Sequence, residues 1–331
     1  METYDVVIIG GAVMGSSTAY FLAANPDFNG NVLVIEKDPT YAKSSTCLSA
    51  GGIRQQFSNT ENIQLSKFGA EFIKNINTYL QVETDDPVNV DFTENGYLIL
   101  ATEAGMPVLM KNHETQIAAG ANVKILQKDQ LKETFEWLNV DDIAAGSYNI
   151  PESGWFDPHC LTMGLKNKAK NLGVTYLNDE VVDIERSGDQ LTAVHLSSGK
   201  KIGGGMFVNA AGPKAARVAE MAGIDDLPVR SRKRFVFLYK CNTQLPGCPL
   251  VRMRLAHDNP TPRRVRWVGL LLLDLALGGE MGGTTIAVPG TAQTWVRHPA
   301  PMVPFIAPPH PAAPWVWATK EGQSLLAFAP A

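Results

Sequence analysis

Blocks of apolar and polar residues in the first forty positions define a strand, a tight turn, a helix and a second strand. Val6-Val7-Ile8-Ile9 is a continuous apolar run, the pattern of a strand buried on both faces in a parallel sheet. Gly10-Gly11-Ala12-Val13-Met14-Gly15 follows, then the small residues Ser16, Ser17 and Ala19, then Val32-Leu33-Val34-Ile35 ending in Glu36. Beyond a polar loop, Ile63, Leu65, Phe68, Phe72, Ile76 and Leu80 recur through an amphipathic helix starting near Asn62, and this stripe is expected to face the core. Asp91 to Thr102 alternates and ends in Gly96-Tyr97-Leu98-Ile99-Leu100, which predicts strands of a second sheet.

Asp157-Pro158 precedes Leu161, Leu165, Ala169, Leu172 and Gly173, a helix with an acid N-cap, proline in its first turn and glycine at its end. Short strands are expected at Val174 to Tyr176 and Glu180 to Ile184, and a hairpin at Leu191 to Leu196 and Lys200 to Ile202 around Ser198-Gly199. Met206-Phe207-Val208-Asn209-Ala210-Ala211-Gly212 repeats the opening logic and leads into a helix over Ala215 to Ala222, so the chain is expected to return to its first domain there. Leu227 to Tyr239 reads as a strand of the second domain, with Arg230, Arg232 and Arg234 on one face.

A glycine turn between a buried strand and a helix is the machinery for holding an ADP moiety. Gly10 permits the turn, Ala12 is small enough for the backbone to approach a pyrophosphate, Gly15 lets the helix sit against the sheet, and Glu36 is spaced for the ribose hydroxyls. The middle glycine of the usual pattern is Ala12, so the surrounding strand, helix and acid carry the assignment. NAD and FAD both fit this turn alone. The returning Asn209-Ala210-Ala211-Gly212 segment and the loop from Ser44 to Gly52 favour FAD.

Composition narrows the function classes. The chain is 45% hydrophobic and 19% charged with a formal net charge of -4, so it presents no basic field and no nucleic-acid partner is expected. Cys47, Cys160, Cys241 and Cys248 form no C-x-x-C, which argues against a zinc site or a dithiol centre, and no metal is expected. A strand so close to Met1 leaves no room for a leader, and a cytoplasmic setting with reduced thiols is the expectation. Trp267 to Gly279 is too short and carries Asp274, so it is not expected to span a membrane.

After Leu250 the composition shifts. More than half of the 21 prolines and four of the six tryptophans lie there, with no tyrosine and Lys320 as the sole lysine. Two explanations fit: a proline-rich disordered tail, or a shifted reading frame, since GC-rich codons out of register favour Pro, Arg, Ala, Gly and Trp.

Taken together, these motifs resemble the FAD-dependent amine and amino-acid oxidoreductases of the D-amino-acid oxidase type, especially the sarcosine oxidase and dimethylglycine dehydrogenase branch, over about residues 3 to 250. The segment Leu48-Ser49-Ala50-Gly51-Gly52-Ile53-Arg54-Gln55-Gln56-Phe57, with Glu61 to Ser66 after it, is similar to mitochondrial and bacterial members linked to respiratory complex I assembly. The resemblance implies an α/β fold, α+β overall: a Rossmann-like FAD-binding domain interleaved with an antiparallel-sheet substrate domain covering the flavin. FAD-domain segments would be 1–88 and 151–224, substrate-domain segments 89–150 and 225–250, with 251–331 an atypical, non-native or disordered tail. Carried over by position, Gly10, Gly11, Ala12, Met14 and Gly15 would contact the pyrophosphate, Glu36 the ribose and Lys37 the adenosine end. Ser45 and Thr46 would reach the phosphates or ribityl chain, Gly51 and Gly52 would lie beside the flavin ring, Val181 would bond the adenine through its backbone, and Ala210, Ala211 and Gly212 would close over the ADP. Relatives that tether flavin use a histidine where this chain has Leu48, so the FAD is expected to be non-covalent, with Cys47 a small loop residue.

The implied reaction takes a hydride from the carbon next to an amine, so the expected partner is a small amine or amino acid, with an unspecified electron acceptor. Arg54, just beyond Gly51-Gly52, is the candidate for a substrate carboxylate, since guanidinium binds it through two hydrogen bonds; pairing with a protein acid or with flavin is the alternative. His159 at a capped helix start reads as structural. Three outcomes stay open: an amine oxidoreductase, a flavin-bound assembly protein associated peripherally with respiratory-chain components, or an inactive truncated product. Translating the gene in its other two frames past codon 250 checks the tail. Tyrosine-containing strands and a glycine-rich ending there identify a shifted frame; absence of both identifies an ordinary tail.

Overall fold

The computed structural model describes residues 1–231, 247–254, 284–288, 291–295 and 325–327. Its elements in chain order are β1 (Glu2–Ile9), α1 (Val13–Ala24), β2 (Val32–Glu36), β3 (Gly52–Ile53), α2 (Thr60–Lys74), α3 (Ile76–Leu80), β4 (Tyr97–Ala101), α4 (Met106–Ala118), β5 (Val123–Gln127), α5 (Lys128–Thr134), β6 (Ala145–Asn149), β7 (Gly154–Trp155), α6 (Pro158–Asn171), β8 (Thr175–Asn178), β9 (Val181–Ser187), β10 (Gln190–Leu196), β11 (Lys201–Asn209), α7 (Ala215–Met221), β12 (Leu250–Arg254), β13 (Thr284–Val288), β14 (Thr291–Trp295) and β15 (Leu325–Ala327).

The large sheet runs β8-β2-β1-β11-β10-β9, parallel from β8 to β11 and antiparallel across the last two strands. Its continuous apolar runs are explained by burial on both sides. Val6, Ile8, Val34 and Val208 pack with α1, α2, α3 and α6 on one face, while Val7, Ile9, Leu33, Ile35 and Phe207 pack with Val218 and the β9–β10 hairpin on the other. β15 lies parallel to the end of β11, beyond the point where β10 stops. Val181–Ser187 and Gln190–Leu196 make one hairpin and Leu196 to Lys201 the next, close to the spans the alternation predicts.

The second sheet runs β12-β4-β6-β5. β4, β6 and β5 are antiparallel, as the resemblance implies, and β12 joins β4 in parallel. β13 and β14 form an antiparallel pair. The short ribbon β3–β7 links the two sheets: Gly52 pairs with Trp155, and Trp155 also bridges Thr93.

Two local expectations are corrected. The stripe from Ile63 to Leu80 does not make one buried face, because the helix breaks at Asn75 into α2 and α3. Ile63 faces Ala119, Ala121 and Val123, and Phe72, half a turn round the helix, faces the main core; Leu65 and Phe68, on nearly the same side as Phe72 but one to two turns nearer the helix start, stay 37% and 42% exposed. The strand expected over Leu227 to Tyr239 is absent where it is described: Leu227 to Ser231 is irregular and Arg230 is exposed, while Arg232, Arg234 and the rest of that segment lie outside the described residues. Most of the atypical region after Leu250, Cys241 and the run from Trp267 to Gly279 also lie outside them. Among the described residues no helix is long and apolar enough to cross a membrane.

α6 carries the chain back from the second sheet to β8 and starts as its sequence predicts. One carboxylate oxygen of Asp157 accepts the N–H groups of His159 at 2.7 Å and Cys160 at 2.9 Å, and Pro158 occupies the first turn. Replacing Asp157 with Ala removes that cap and is expected to lower unfolding free energy by about 1 kcal/mol, measured by urea denaturation.

Candidate functional site

The parallel register brings three strand ends level: Ile9 pairs with Ile35 of β2 and with Asn209 of β11. Gly10, Glu36 and Ala210 therefore emerge at one edge. Gly10 has φ +102°, and a Cβ there would stand 2.5 Å from the Ala210 carbonyl oxygen, so only glycine lets the turn pass this close to the returning segment. A Cβ on Gly15 would stand 1.8 Å from the Gly10 carbonyl oxygen, which is why α1 can seat against the turn. Ala12 at the N-cap offers no side chain to the first-turn N–H groups of α1, and no acid lies in that turn. A twelve-residue helix thus points uncapped amides at the notch beside Gly10 and Gly11, the arrangement that receives a pyrophosphate. Met14, exposed in the first turn, and Ala12 border it.

Glu36 completes the notch. Its carboxylate accepts the Gly11 N–H at 2.7 Å and the Asp38 N–H at 2.8 Å. A carboxylate offers about four lone-pair positions, so acceptor capacity remains for about two further donors, a ribose hydroxyl among them. Lys37 is held by Glu180 at 3.1 Å, one residue before Val181, so both adenosine-end candidates lie together where β2 and β9 end and begin. Ala210 is buried, Ala211 and Gly212 half-buried, and the Asn209 side chain braces the segment by donating to Ala215 O at 2.8 Å and accepting from Ala211 N at 3.3 Å.

Further along, the Ser44 to Ser49 loop coils on itself, with Cys47 N donating to Ser44 Oγ at 3.1 Å and Leu48 N to Ser44 O at 3.1 Å. Ser45 is exposed and Thr46 half-buried, and Leu48 projects 58% exposed. Gly51 has φ +58° and its Cβ would stand 2.0 Å from the Phe156 carbonyl oxygen, which pins this loop to the start of α6. Next comes Arg54. Its guanidinium carbon stands 4.6 Å from the Phe57 ring centre and 5.1 Å from that of Tyr97, and its buried Nε has no hydrogen-bond partner. No protein acid pairs with it among the described residues. One cluster of potential metal ligands occurs among the described residues, Asp157, His159 and Cys160, with ligand atoms within 4.8 Å of one another. Its Asp157 is committed to capping α6, and burial together with that carboxylate pushes the Cys160 thiol up, away from the thiolate a metal needs.

A family profile described as DAO, FAD dependent oxidoreductase, matches residues 5–268. The chain belongs to this FAD-dependent oxidoreductase family. It is 41% identical over 282 residues to FAD-dependent oxidoreductase domain-containing protein 1 of Bos taurus, covering 76% of this chain and 58% of that protein. It is 32% identical over 223 residues to mitochondrial dimethylglycine dehydrogenase of Rattus norvegicus, covering 67% of this chain and 25% of the other. The chain thus spans a little over half the length of its bovine relative. Among solved structures, L-proline dehydrogenase from P. horikoshii superposes with a TM-score of 0.67 at 24% identity over 90% of this chain and 70% of that one, and glycine oxidase from Bacillus cereus with 0.64 at 20% over 88% and 70%; both share the fold.

FAD is the cofactor of this DAO-family chain, and the notch between Gly10, Gly15 and Glu36 fits its ADP half. Sequence reasoning missed what stands behind that notch. Tyr176 of β8 donates to Ser16 Oγ at 3.1 Å, and Ser16 donates to Gly11 O at 2.6 Å, so the turn is braced from below. Lys166 of α6 lies over two rings, 5.0 Å from that of Tyr41 and 5.7 Å from that of Tyr176. Burial lowers the Lys166 ammonium's pKa, helped by Lys170 and opposed by Glu36, while burial pushes the Tyr176 phenol up to about 12. The available signal was position: Tyr176 sits on the core side of an edge strand, where a polar tip needs a partner. Gly15→Ala drives a methyl into Gly10 and is expected to abolish flavin co-purification while leaving far-ultraviolet circular dichroism close to that of the parent protein.

Proposed function

We propose that this chain oxidises the C–N bond of a secondary or N-methylated amino acid of the sarcosine or dimethylglycine kind. The observation that carries the reading is Arg54. A guanidinium lying over the rings of Phe57 and Tyr97, with no carboxylate pairing with it among the described residues, is ready for an anionic group, and it follows closely on the Gly51-Gly52 segment that would lie beside the flavin. Stacking on two rings restricts the guanidinium without consuming its in-plane N–H donors, so a carboxylate can take two of them at once. Bound FAD supplies the hydride acceptor. The protein's part is to hold the amino acid by its carboxylate so that the carbon next to nitrogen faces that acceptor, with Phe57 and Tyr97 forming an apolar wall. The similarity to dimethylglycine dehydrogenase supports the substrate class.

A second reading is a flavin-bearing assembly protein associated with respiratory-chain components, favoured by the likeness of the Leu48 to Ser66 segment to that branch. Anaerobic mixing of the purified flavoprotein with sarcosine, dimethylglycine and proline separates the two. Bleaching of the flavin absorbance supports the enzyme, whereas a retained flavin that none of them reduces supports the assembly role. Loss of flavin during purification supports a truncated product. For the enzyme, Arg54→Met is expected to lower reduction efficiency with sarcosine about 100-fold, the loss of a charge-assisted pair of hydrogen bonds. Reduction by dimethylamine, which has no carboxylate, stays within twofold.

A further inference from the structure

Tyr41 combines two unfavourable features that the fold maintains. Its backbone is left-handed at φ +57°, where residues with a Cβ are uncommon, and hydrogen bonds on either side hold it there: Tyr41 N to Asp38 O and Ser44 N to Tyr41 O, both 2.9 Å. Its side chain is 1% exposed, yet the hydroxyl makes no hydrogen bond. Buried hydroxyls nearly always find a partner, and strain of this kind concentrates at functional sites.

The hydroxyl sits at the cofactor notch. A Cβ built on Gly11 would touch the Tyr41 oxygen at 3.4 Å and the Glu36 Cβ at 3.0 Å, so Tyr41 and Glu36 flank the same backbone unit. Burial pushes the phenol well above its ordinary range, and Tyr176 and Glu36 add to this, so it carries a proton at any physiological pH. Two acceptors lie nearby: Ser16 Oγ accepts from Tyr176 and gives its own proton to Gly11 O, which leaves it one lone pair toward Tyr41, and Glu36 accepts from Gly11 N and Asp38 N, which leaves its carboxylate about two. Lys166 over the ring face keeps the tyrosine in place. Because the hydroxyl is sealed from solvent, its acceptor is sought among the protein groups at the notch. Of the two, Glu36 carries the charge and the larger spare acceptor capacity, and it is the one that faces the ribose position.

We propose that Tyr41 is a positioning residue for the cofactor: when an adenosine ribose hydroxyl takes one of the two free lone pairs of the Glu36 carboxylate and draws it over, Tyr41 donates its unpaired hydrogen bond to the other. Cofactor binding then relieves an unpaired donor, and Lys166 contributes by holding the ring. The proposal rests on the notch between Gly10 and Glu36 being the ADP site.

Titration of the flavin-free full chain with FAD, and separately with ADP, tests it. Tyr41→Phe removes only the oxygen and is expected to weaken both ligands about 10-fold, as for one hydrogen bond to a charged group. Without ligand its melting temperature equals or exceeds that of the parent, since an unpaired buried hydroxyl is gone. In a Glu36→Gln background the same change is expected to add less than twofold. Lys166→Met weakens both ligands in the same direction, and Lys166→Arg restores them. Unchanged affinity in Tyr41→Phe overturns the proposal, as does a lowered ligand-free melting temperature, which would mark an ordinary structural hydrogen bond to Ser16. A loss confined to FAD and absent for ADP also overturns it. Failure of the parent protein to bind ADP at all rejects the site assignment instead.

Discussion

The structure depends on three strand ends lying level. The hydrogen-bond ladder continues one residue past the strands, with Gly10 N donating to Ile35 O and Ala210 N to Ile9 O, both at 2.9 Å. The turn is thereby tied to both neighbours at once. A strand that is apolar on both faces has no polar side to oppose a slip in register, since shifting it by one residue exchanges one buried face for another. Steric fit takes over that task. Gly10 against the Ala210 carbonyl and Gly15 against the Gly10 carbonyl allow one alignment, and that alignment puts Glu36 within reach of Gly11. The contacts that select the register are the ones that leave α1 uncapped for a pyrophosphate.

Features that depend on a few consecutive residues were legible in the sequence. The glycine turn, the acid ending β2, the capped start of α6 and the return at Asn209 each encode a local geometry, and each occurs where the pattern put it. The stripe from Ile63 to Leu80 was misread because α2 is packed between two separate cores. Its burial is decided by α4 and β5 on one side and by α1 on the other, and neither is visible from helical spacing. Tyr41, Lys166 and Tyr176 were illegible for a related reason: Tyr41 stands more than a hundred residues from the other two and meets them only because α6 packs on α1 and β8 pairs with β2. Nothing local marks Lys166 as different from Lys168 or Lys170 on the same helix.

The neighbourhood of Arg54 is built differently from the ADP notch. Where the ADP notch is shaped by absent side chains, the neighbourhood of Arg54 is shaped by amides. Gln55 donates its peptide N–H to Asn149 Oδ1 at 3.0 Å and its side chain to Glu152 at 2.8 Å, and Gln56 donates to Tyr97 O and Ser147 O, both at 2.9 Å. Asn149 in turn reaches Asn122 O at 2.8 Å. These bonds join the chain just after β3 to β4 and β6, so the residues flanking Arg54 move with the second sheet.

That attachment couples the two halves of the site mechanically. Gly51 is pinned to α6, and α6 packs on α1, so the glycines expected beside the flavin belong to the nucleotide-binding body. Three residues later the chain belongs to the second sheet. On the proposed reading, the distance between the flavin ring and a carboxylate on Arg54 would be set by the short segment Gly52-Ile53, which pairs with Gly154-Trp155. A cluster of buried amides is sensitive to displacement, because a shift that breaks one of these bonds strands a buried polar group with no water to replace its partner. An apolar contact between the sheets would tolerate sliding; hydrogen-bonded glutamines do not. With Arg54 in the substrate role proposed above, the polar character of this junction would serve to hold that residue at one height above a cofactor carried by a different sheet.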